Sequence, residues 1–500
     1  MEWRATPDHR LPAANAPPSP GDGRVRLWGT DGRWSFIPAS GSRTGSISQT
    51  AAATEYSADR PARPQAHGYC PGSSERSSSA ICRSVQGGFG LVVEPLLSPV
   101  EDARVESRQS RGRSIHGRRA DRAPSAGARQ SRLTVGVEEE FLLVDPHSRM
   151  LAPVAMPVIA TARTKLADLI APELTCYQVE TRTEPHQNLG ALAEQLYANR
   201  LHLSRAAVAH GARLISSGSP VLSPGGAPPF MPGERYERSG RMFGALDEEQ
   251  VCCACHVHVG MDSREEAVLV SNHLRGWIAV LAAMAVNSPV WGGRDTGYAG
   301  WRSMCWARWP AAGPPPYFAS AAHYDDAVDT LVGTGVVLDV GGIYWDVRLS
   351  HHVPTLEIRV ADAGLCVDDT VLFAALVRAA VATALDDVRA GRPASRPDAH
   401  LLRAASWRGA REGLGGVLLD PVSRRLAPAW RRVGQLLAWI RPALVQHGDA
   451  ALVDSLVSRL SLHGTGAVRQ RAALRRRQRP ADTVDYLLAG TLTAPSCLGR

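Results

Sequence analysis

TVGVEEEFLLVD, residues Thr134 to Asp145, alternates like a β-strand yet carries three consecutive glutamates where apolar residues are expected. Side chains of a strand alternate between its faces, so Glu138 and Glu140 share one face, about 7 Å apart along it. Val135, Val137, Phe141 and Leu143 share the other, which reads as a helix-packed core face. Glu139 falls among those apolar residues and needs a partner or a place at the strand edge.

Other stretches repeat the pattern. YQVET sets Gln178 and Glu180 on one face, with Tyr177 and Val179 on the other. CHVHVG sets His256 and His258 together, with Cys255, Val257 and Val259 behind them. LEIRV sets Glu357 and Arg359 opposite Leu356, Ile358 and Val360. Placed in one sheet, these strands make one apolar face and one face of acids, histidines and an arginine. Taken singly, EEE fits a solvated outer face; four strands with the same one-sided chemistry favour a site. Two carboxylates about 4 Å apart repel by roughly 4 kcal/mol at an effective dielectric near 20. Several together need cations, and oxygen ligands of this kind suit Mg²⁺ or Mn²⁺.

The run CCACHVH superficially offers zinc ligands in Cys252, Cys255, His256 and His258. On a continuous strand Cys252 and Cys255 point to opposite faces and cannot share a tetrahedral ion. The cysteines read instead as small buried packing residues.

Further along the chain, strands are expected at Leu133–Val144, Cys176–Thr183, Arg213–Ser216, Cys252–Gly260 and Thr355–Val360. Helices fit Leu189–Gly211 and Arg264–Val286, the second with Asp262 as N-cap and Glu265 three residues on. Pro310–Pro316 is a loop. Past Leu365 the pattern is almost wholly helical, through VLFAALVRAAVATALDDV, LAPAWRRVGQLLAWI and ALVDSLVSRL. Strands first and helices afterwards indicate an α+β fold.

Residues 1–130 differ: rich in Ser, Gly, Pro, Arg and Ala, they are expected to form a disordered, low-complexity leader. Residues 131–490 are the expected catalytic domain. Nine arginines against Glu106 and Asp121 between Ala103 and Arg132 account for most of the net charge of +8. The remainder is near neutral, so charge offers little support for nucleic-acid binding by the folded part. Lys165 is the single lysine, which excludes a GxxxxGK[ST] phosphate loop and a nucleotidyl-lysine site. Nine scattered cysteines do not form a secreted framework, and MEWRATPDHRLPAANAPP has no apolar signal core. The apolar run Gly276–Val286 is too short to span a bilayer. A cytoplasmic protein is expected, without membrane or nucleic-acid partners; its oligomeric state is left open, a homo-oligomer included.

GVEEEFLLVDP, ELTCYQVET, CHVHVG, NSPVWGGRDTGYAGWR and TLEIRVADA, in that order, resemble the type 2 glutamate–cysteine ligases, also described as ATP-dependent carboxylate–amine ligases. The likeness runs from about Ser131 to Leu488. It implies a glutamine-synthetase-like catalytic sheet with helices behind it and an open acidic face that binds Mg²⁺ and ATP. It further implies metal carboxylates at Glu138 and Glu140, at the acid pair Glu173 and Glu180, and at Glu357. By the same resemblance His256 and His258 face the substrates or nucleotide, Arg359 and Arg294 are catalytic, and Arg294 and Tyr298 contact substrates. The implied partners are ATP, glutamate and an amine acceptor, cysteine by the family's label. The reaction would give γ-glutamylcysteine, ADP and phosphate through an acyl phosphate. Three departures stand out: TRTEP after Glu180 where the family often has a shorter Thr-Pro turn, His258 where distant ligases carry asparagine, and the leader. A metal-dependent hydrolase, using the same face without ATP, is the alternative; a zinc-stabilised module and a basic-arm nucleic-acid protein are further readings.

Overall fold

The computed structural model describes residues 24–28, 34–38 and 133–496. Within the leader, where the sequence predicts no regular structure, Arg24–Trp28 and Trp34–Pro38 form a two-stranded sheet. The rest of the leader expectation lies outside the described residues.

Residues 133–496 are built around a seven-stranded sheet. Its strands are β1 (Val135–Val144), β2 (Ile170–Pro172), β3 (Gln178–Arg182), β4 (Arg213–Ile215), β5 (Ala254–Gly260), β6 (Val347–Leu349) and β7 (Thr355–Asp362). The spatial order is β6-β7-β5-β1-β3-β2, with β4 also pairing β1, and every pairing is antiparallel. The five expected strands are present with ends shifted by one or two residues. Sequence analysis missed β2, whose residues Ile170, Ala171 and Pro172 do not alternate, and β6, where Val347, Arg348 and Leu349 show only one alternation.

The apolar faces meet helices, as alternation requires. Val135, Val137, Val257, Val259, Leu356 and Ile358 are buried against α2 (Arg264–Leu274), α3 (Ile278–Met284) and α5 (Val367–Arg389). Phe141, Leu143 and Val179 are buried with Leu203 and Ala207 of α1 (Leu189–Ala209) and with the helix Ala155–Leu166. Two core clusters thus back the apolar face. The other face is open only in its middle: Leu142 and Val144 are covered by Ile215, Val251, Val290, Val484 and Leu487. Tyr177, expected beside Val179, precedes β3 and packs in this same cluster.

Three helix expectations are corrected. Arg264–Val286 is not one helix: it breaks around Gly276 into α2 and α3, which diverge by 74°. The break wraps both halves over the sheet, and no single helix among the described residues is long and apolar enough to cross a membrane. The N-cap of α2 is Ser263, whose hydroxyl accepts the Glu266 N–H at 3.2 Å, rather than Asp262. Leu426–Pro428, read as helical, lies in the strand Arg425–Pro428 paired with Val417–Asp420; the helix starts at Ala429. Proline there supplies no N–H for a helix interior but is suited to the position before the first turn.

Candidate active site

Register brings the predicted acids together. Glu138 pairs with His256 across β1 and β5, Glu140 with Glu180 across β1 and β3, and His258 with Glu357 across β5 and β7. Glu173 follows β2 directly, at the sheet end beside Glu180. A register irregularity between Ile358 and Ala361 interrupts the β7–β5 ladder at Arg359.

Two carboxylate groups result, each with ligand atoms within 4.8 Å of one another: Glu138, His258 and Glu357; and Glu140, Glu173 and Glu180. The first is supplied with cations by the chain. Arg348 Nε donates to Glu357 at 2.8 Å and Arg359 also donates to it. Burial opposes ionisation of Glu357, yet these two guanidiniums hold its carboxyl far below the usual range. Glu138 lies 3.2 Å from His256 Nδ1 and 3.5 Å from His258 Nε2. Burial opposes its ionisation too, but these imidazoles outweigh it and hold Glu138 well below its ordinary value. His258 is raised: burial opposes its protonation, but the Glu138 carboxylate beside it and the charge of Glu357 together outweigh burial. His256 is lowered by burial and by Arg359.

The second group is supplied more weakly, by Arg182 beside Glu180, His256 Nε2 3.8 Å from Glu140, and the more distant charge of Arg359. Burial, then repulsion from Glu140, pushes Glu173 up to about 8. Burial and the charges of Glu138, Glu173 and Glu140 push Glu180 well above its ordinary value; Arg182, 3.6 Å away, offsets only part. Glu140 accepts the Ala254 N–H at 2.8 Å, which fixes one oxygen. Three hard oxygen donors crowded together and starved of positive charge fit a Mg²⁺ or Mn²⁺ ion. The buried Nε of Arg359 lacks a hydrogen-bond partner, and the buried Nε2 atoms of His256 and His258 meet carboxylates only loosely, Glu140 at 3.8 Å and Glu138 at 3.5 Å, so the face retains unused polar capacity.

Glu139 resolves on the opposite face. It is fully buried and held by Arg200, whose Nε donates at 3.0 Å, and by the Thr370 hydroxyl at 2.6 Å. The cysteines separate as well. Cys255 is in the core behind the sheet and Cys253 in the cluster with Leu142, while His256 lies on the open face beside Glu138.

Arg294 and Tyr298 occupy a different loop. Arg294 is exposed in the small hairpin of Val290–Trp291 and Arg294–Asp295. Tyr298 is anchored by the Trp407 indole N–H at 3.3 Å and by Arg471, which donates to its carbonyl at 2.9 Å. No hydrogen bond or ion pair among the described residues links either to the carboxylates. Sequence analysis missed Arg348, Arg302, Tyr236 and Tyr344. Tyr236, raised to about 12 by burial and then Glu173, and Tyr344, raised by burial, wall the Glu173 side. Only Arg348 left a trace: a charge between the core residues Val347 and Leu349.

Known proteins resemble this chain in sequence and in fold. The model of the family "Glutamate-cysteine ligase family 2" matches residues 134–486. A Frankia alni protein named "Putative glutamate--cysteine ligase 2-2" is 45% identical over 378 residues, covering 73% of this chain and 98% of that one. A protein of the same name from a Mycobacterium species is 48% identical over 362 residues, covering 72% and 98%. Among solved structures, a glutamate–cysteine ligase from Francisella tularensis in complex with AMP superposes with a TM-score of 0.54 at 13% identity, covering 73% of this chain and 91% of that one. A bifunctional glutathione synthetase from Pasteurella multocida gives 0.55 at 14% identity, covering 71% and 52%. At such identities these two speak for the fold, a glutamine-synthetase-like sheet with helices behind it. With nearly the whole length of its relatives matched at 45% identity and more, the chain belongs to glutamate–cysteine ligase family 2 and is an ATP-dependent ligase.

Proposed function

We propose that the protein joins the side-chain carboxylate of glutamate to an amine, with cysteine as acceptor, and releases ADP and phosphate. The observation that carries this reading is the group Glu140, Glu173 and Glu180, three carboxylates within 4.8 Å whose single guanidinium ion pair among the described residues, Arg182 to Glu180 at 3.6 Å, leaves Glu173 and Glu180 raised. Glu138, Glu140, Glu173, Glu180 and Glu357 would hold Mg²⁺ or Mn²⁺, which supplies charge neutralisation for the phosphates of ATP. Arg359 carries a buried Nε without a partner, suited to a phosphoryl or acyl-phosphate oxygen. His256 and His258 line the same face, and Arg294 and Tyr298 serve the substrates from the neighbouring loop. The glutamate carboxylate attacks the γ-phosphorus, ADP leaves, and the amine then displaces phosphate from the acyl carbon. No cysteine of the chain is used. The catalytic part is residues 131–490, working in the cytoplasm. The hydrolase alternative finds no support in the family match.

Hydroxylamine in place of the amine tests the reading. Glutamate, ATP and Mg²⁺ together should yield γ-glutamyl hydroxamate with equal amounts of ADP and phosphate. Hydroxamate without ATP, or AMP and pyrophosphate as products, would overturn it.

A further inference from the structure

Asp346 belongs to none of the carboxylate groups described so far. It stands next to β6, where its carbonyl accepts the Arg359 N–H at 2.9 Å and so sets it opposite Arg359 on the neighbouring strand. Val347 and Leu349 are buried behind the sheet, so Asp346 and Arg348 share the open face with Glu357. Its side chain is partly buried, yet its carboxylate joins no ion pair and accepts no hydrogen bond among the described residues. Arginines and aromatic rings surround the place. Arg302, from α4 (Trp301–Trp306), donates to the Arg359 carbonyl at 3.2 Å and lies over the Trp306 ring at 5.7 Å. Trp306 in turn packs on Tyr344, 4.8 Å between ring centres.

A half-buried carboxylate opposite Arg359, held by no group among the described residues, is an acceptor open to a ligand that enters the face. We propose that Asp346 accepts the proton of the incoming ammonium group and so makes the amine nucleophilic; this rests on the ligase reading above. In water an alkylamine is protonated at neutral pH and has no lone pair to attack with. One N–H proton passes to the Asp346 carboxylate. The freed nitrogen lone pair forms the C–N bond at the acyl carbon, the C–O bond to phosphate breaks, and phosphate leaves with that electron pair. The amide nitrogen sheds its remaining extra proton to solvent, and Asp346 releases its own on product departure.

The charged groups facing Asp346 are Arg302 from α4 and Arg359 from β7, with Arg348 two residues along its own strand. Burial, against these two guanidiniums, pushes the carboxyl up to about 7. A base in that range is half ionised near neutral pH, where general-base catalysis works best. The acids of the metal groups are not its contacts.

Hydroxylamine separates this role from a structural one, since its nitrogen is already unprotonated at neutral pH. In Asp346→Asn, γ-glutamylcysteine formation with cysteine as the probe should fall by at least about 100-fold. Hydroxamate formation should stay within a few-fold of the parent rate, and raising the pH should restore the cysteine reaction in the variant. Loss of both products together, or retention of both, would overturn the assignment. Should Asp346→Asn fail to fold, Asp346→Ser is read in the same way; failure of both to fold would also overturn it, because the carboxylate would then be structural. Parent protein that forms neither product sinks the ligase reading instead.

Discussion

Glu139 and Glu180 are both glutamates on central strands of one sheet, and their surroundings are opposite. Glu139 lies behind the sheet with Arg200 and Thr370 bound to it, so that both of its oxygens have a partner. Glu180 lies on the open face with Glu140 and Glu173 within 4.8 Å, and its nearest guanidinium is 3.6 Å away on the half-exposed Arg182. Folding has spent a buried cation on the first and left the second short of one. The difference teaches that position of the compensating charge, not residue type, separates a structural carboxylate from a ligand. A buried charge without its partner is tolerable only where something else arrives to neutralise it.

The sharpest way to break the comparison is to remove the cation behind the sheet. Arg200→Met strands Glu139 with the Thr370 hydroxyl and also leaves the carbonyls of Leu365 and Thr491 without their side-chain donor, while Gly364 keeps the Ser216 hydroxyl. Urea unfolding should show a loss of about 3–5 kcal/mol, and adding Glu139→Leu should recover a substantial part. A change below about 1 kcal/mol in the single variant would mean that Glu139 is as adaptable as the open-face acids.

Glu180→Gln is the converse. Turnover should fall at least about 100-fold, close to 2.7 kcal/mol of transition-state stabilisation. The metal-free melting temperature should hold or rise, because one member of a repelling group is neutralised. Stabilisation by added Mg²⁺ should shrink with it. Normal turnover in this variant would reduce the open face to a solvated surface.

A smaller effect appears in the pH dependence of stability. Glu173 sits at about 8 in the folded chain against an ordinary 4.5, and Glu180 is shifted the same way. Between those values the folded state holds more protons than the unfolded one, so metal-free stability falls as pH rises from about 5 to about 8. The raised His258 acts in the same direction and the lowered His256 against it. Glu138 and Glu357, both lowered, lose their contribution only in more acidic solution. Thermal melts should therefore drop by a few degrees across this range without metal, and less with saturating Mg²⁺, which competes with the protons. A flat metal-free profile would show that the second group is not short of charge.

The strands of the site were legible because alternation is a local property: a period of two places Glu138, Glu140, His256, His258, Glu357 and Arg359 on one face whatever lies around them. The same periodicity flagged Glu139 as out of place. It also failed where local pattern is thin, in the three-residue strands Ile170–Pro172 and Val347–Leu349. A continuous apolar run hid the break at Gly276, since a buried helix and a buried bend look alike in composition.

By itself, then, the sequence determined which side chains share a face and which family's motifs they compose. Only the tertiary structure decided which carboxylates receive a cation. Arg200 reaches Glu139 across 61 residues of chain, and Arg302 comes near Asp346 from a separate helix. Those approaches depend on how helices pack on the sheet, and electrostatic environment is set by distance through space and by burial, neither of which a strand's own alternation encodes.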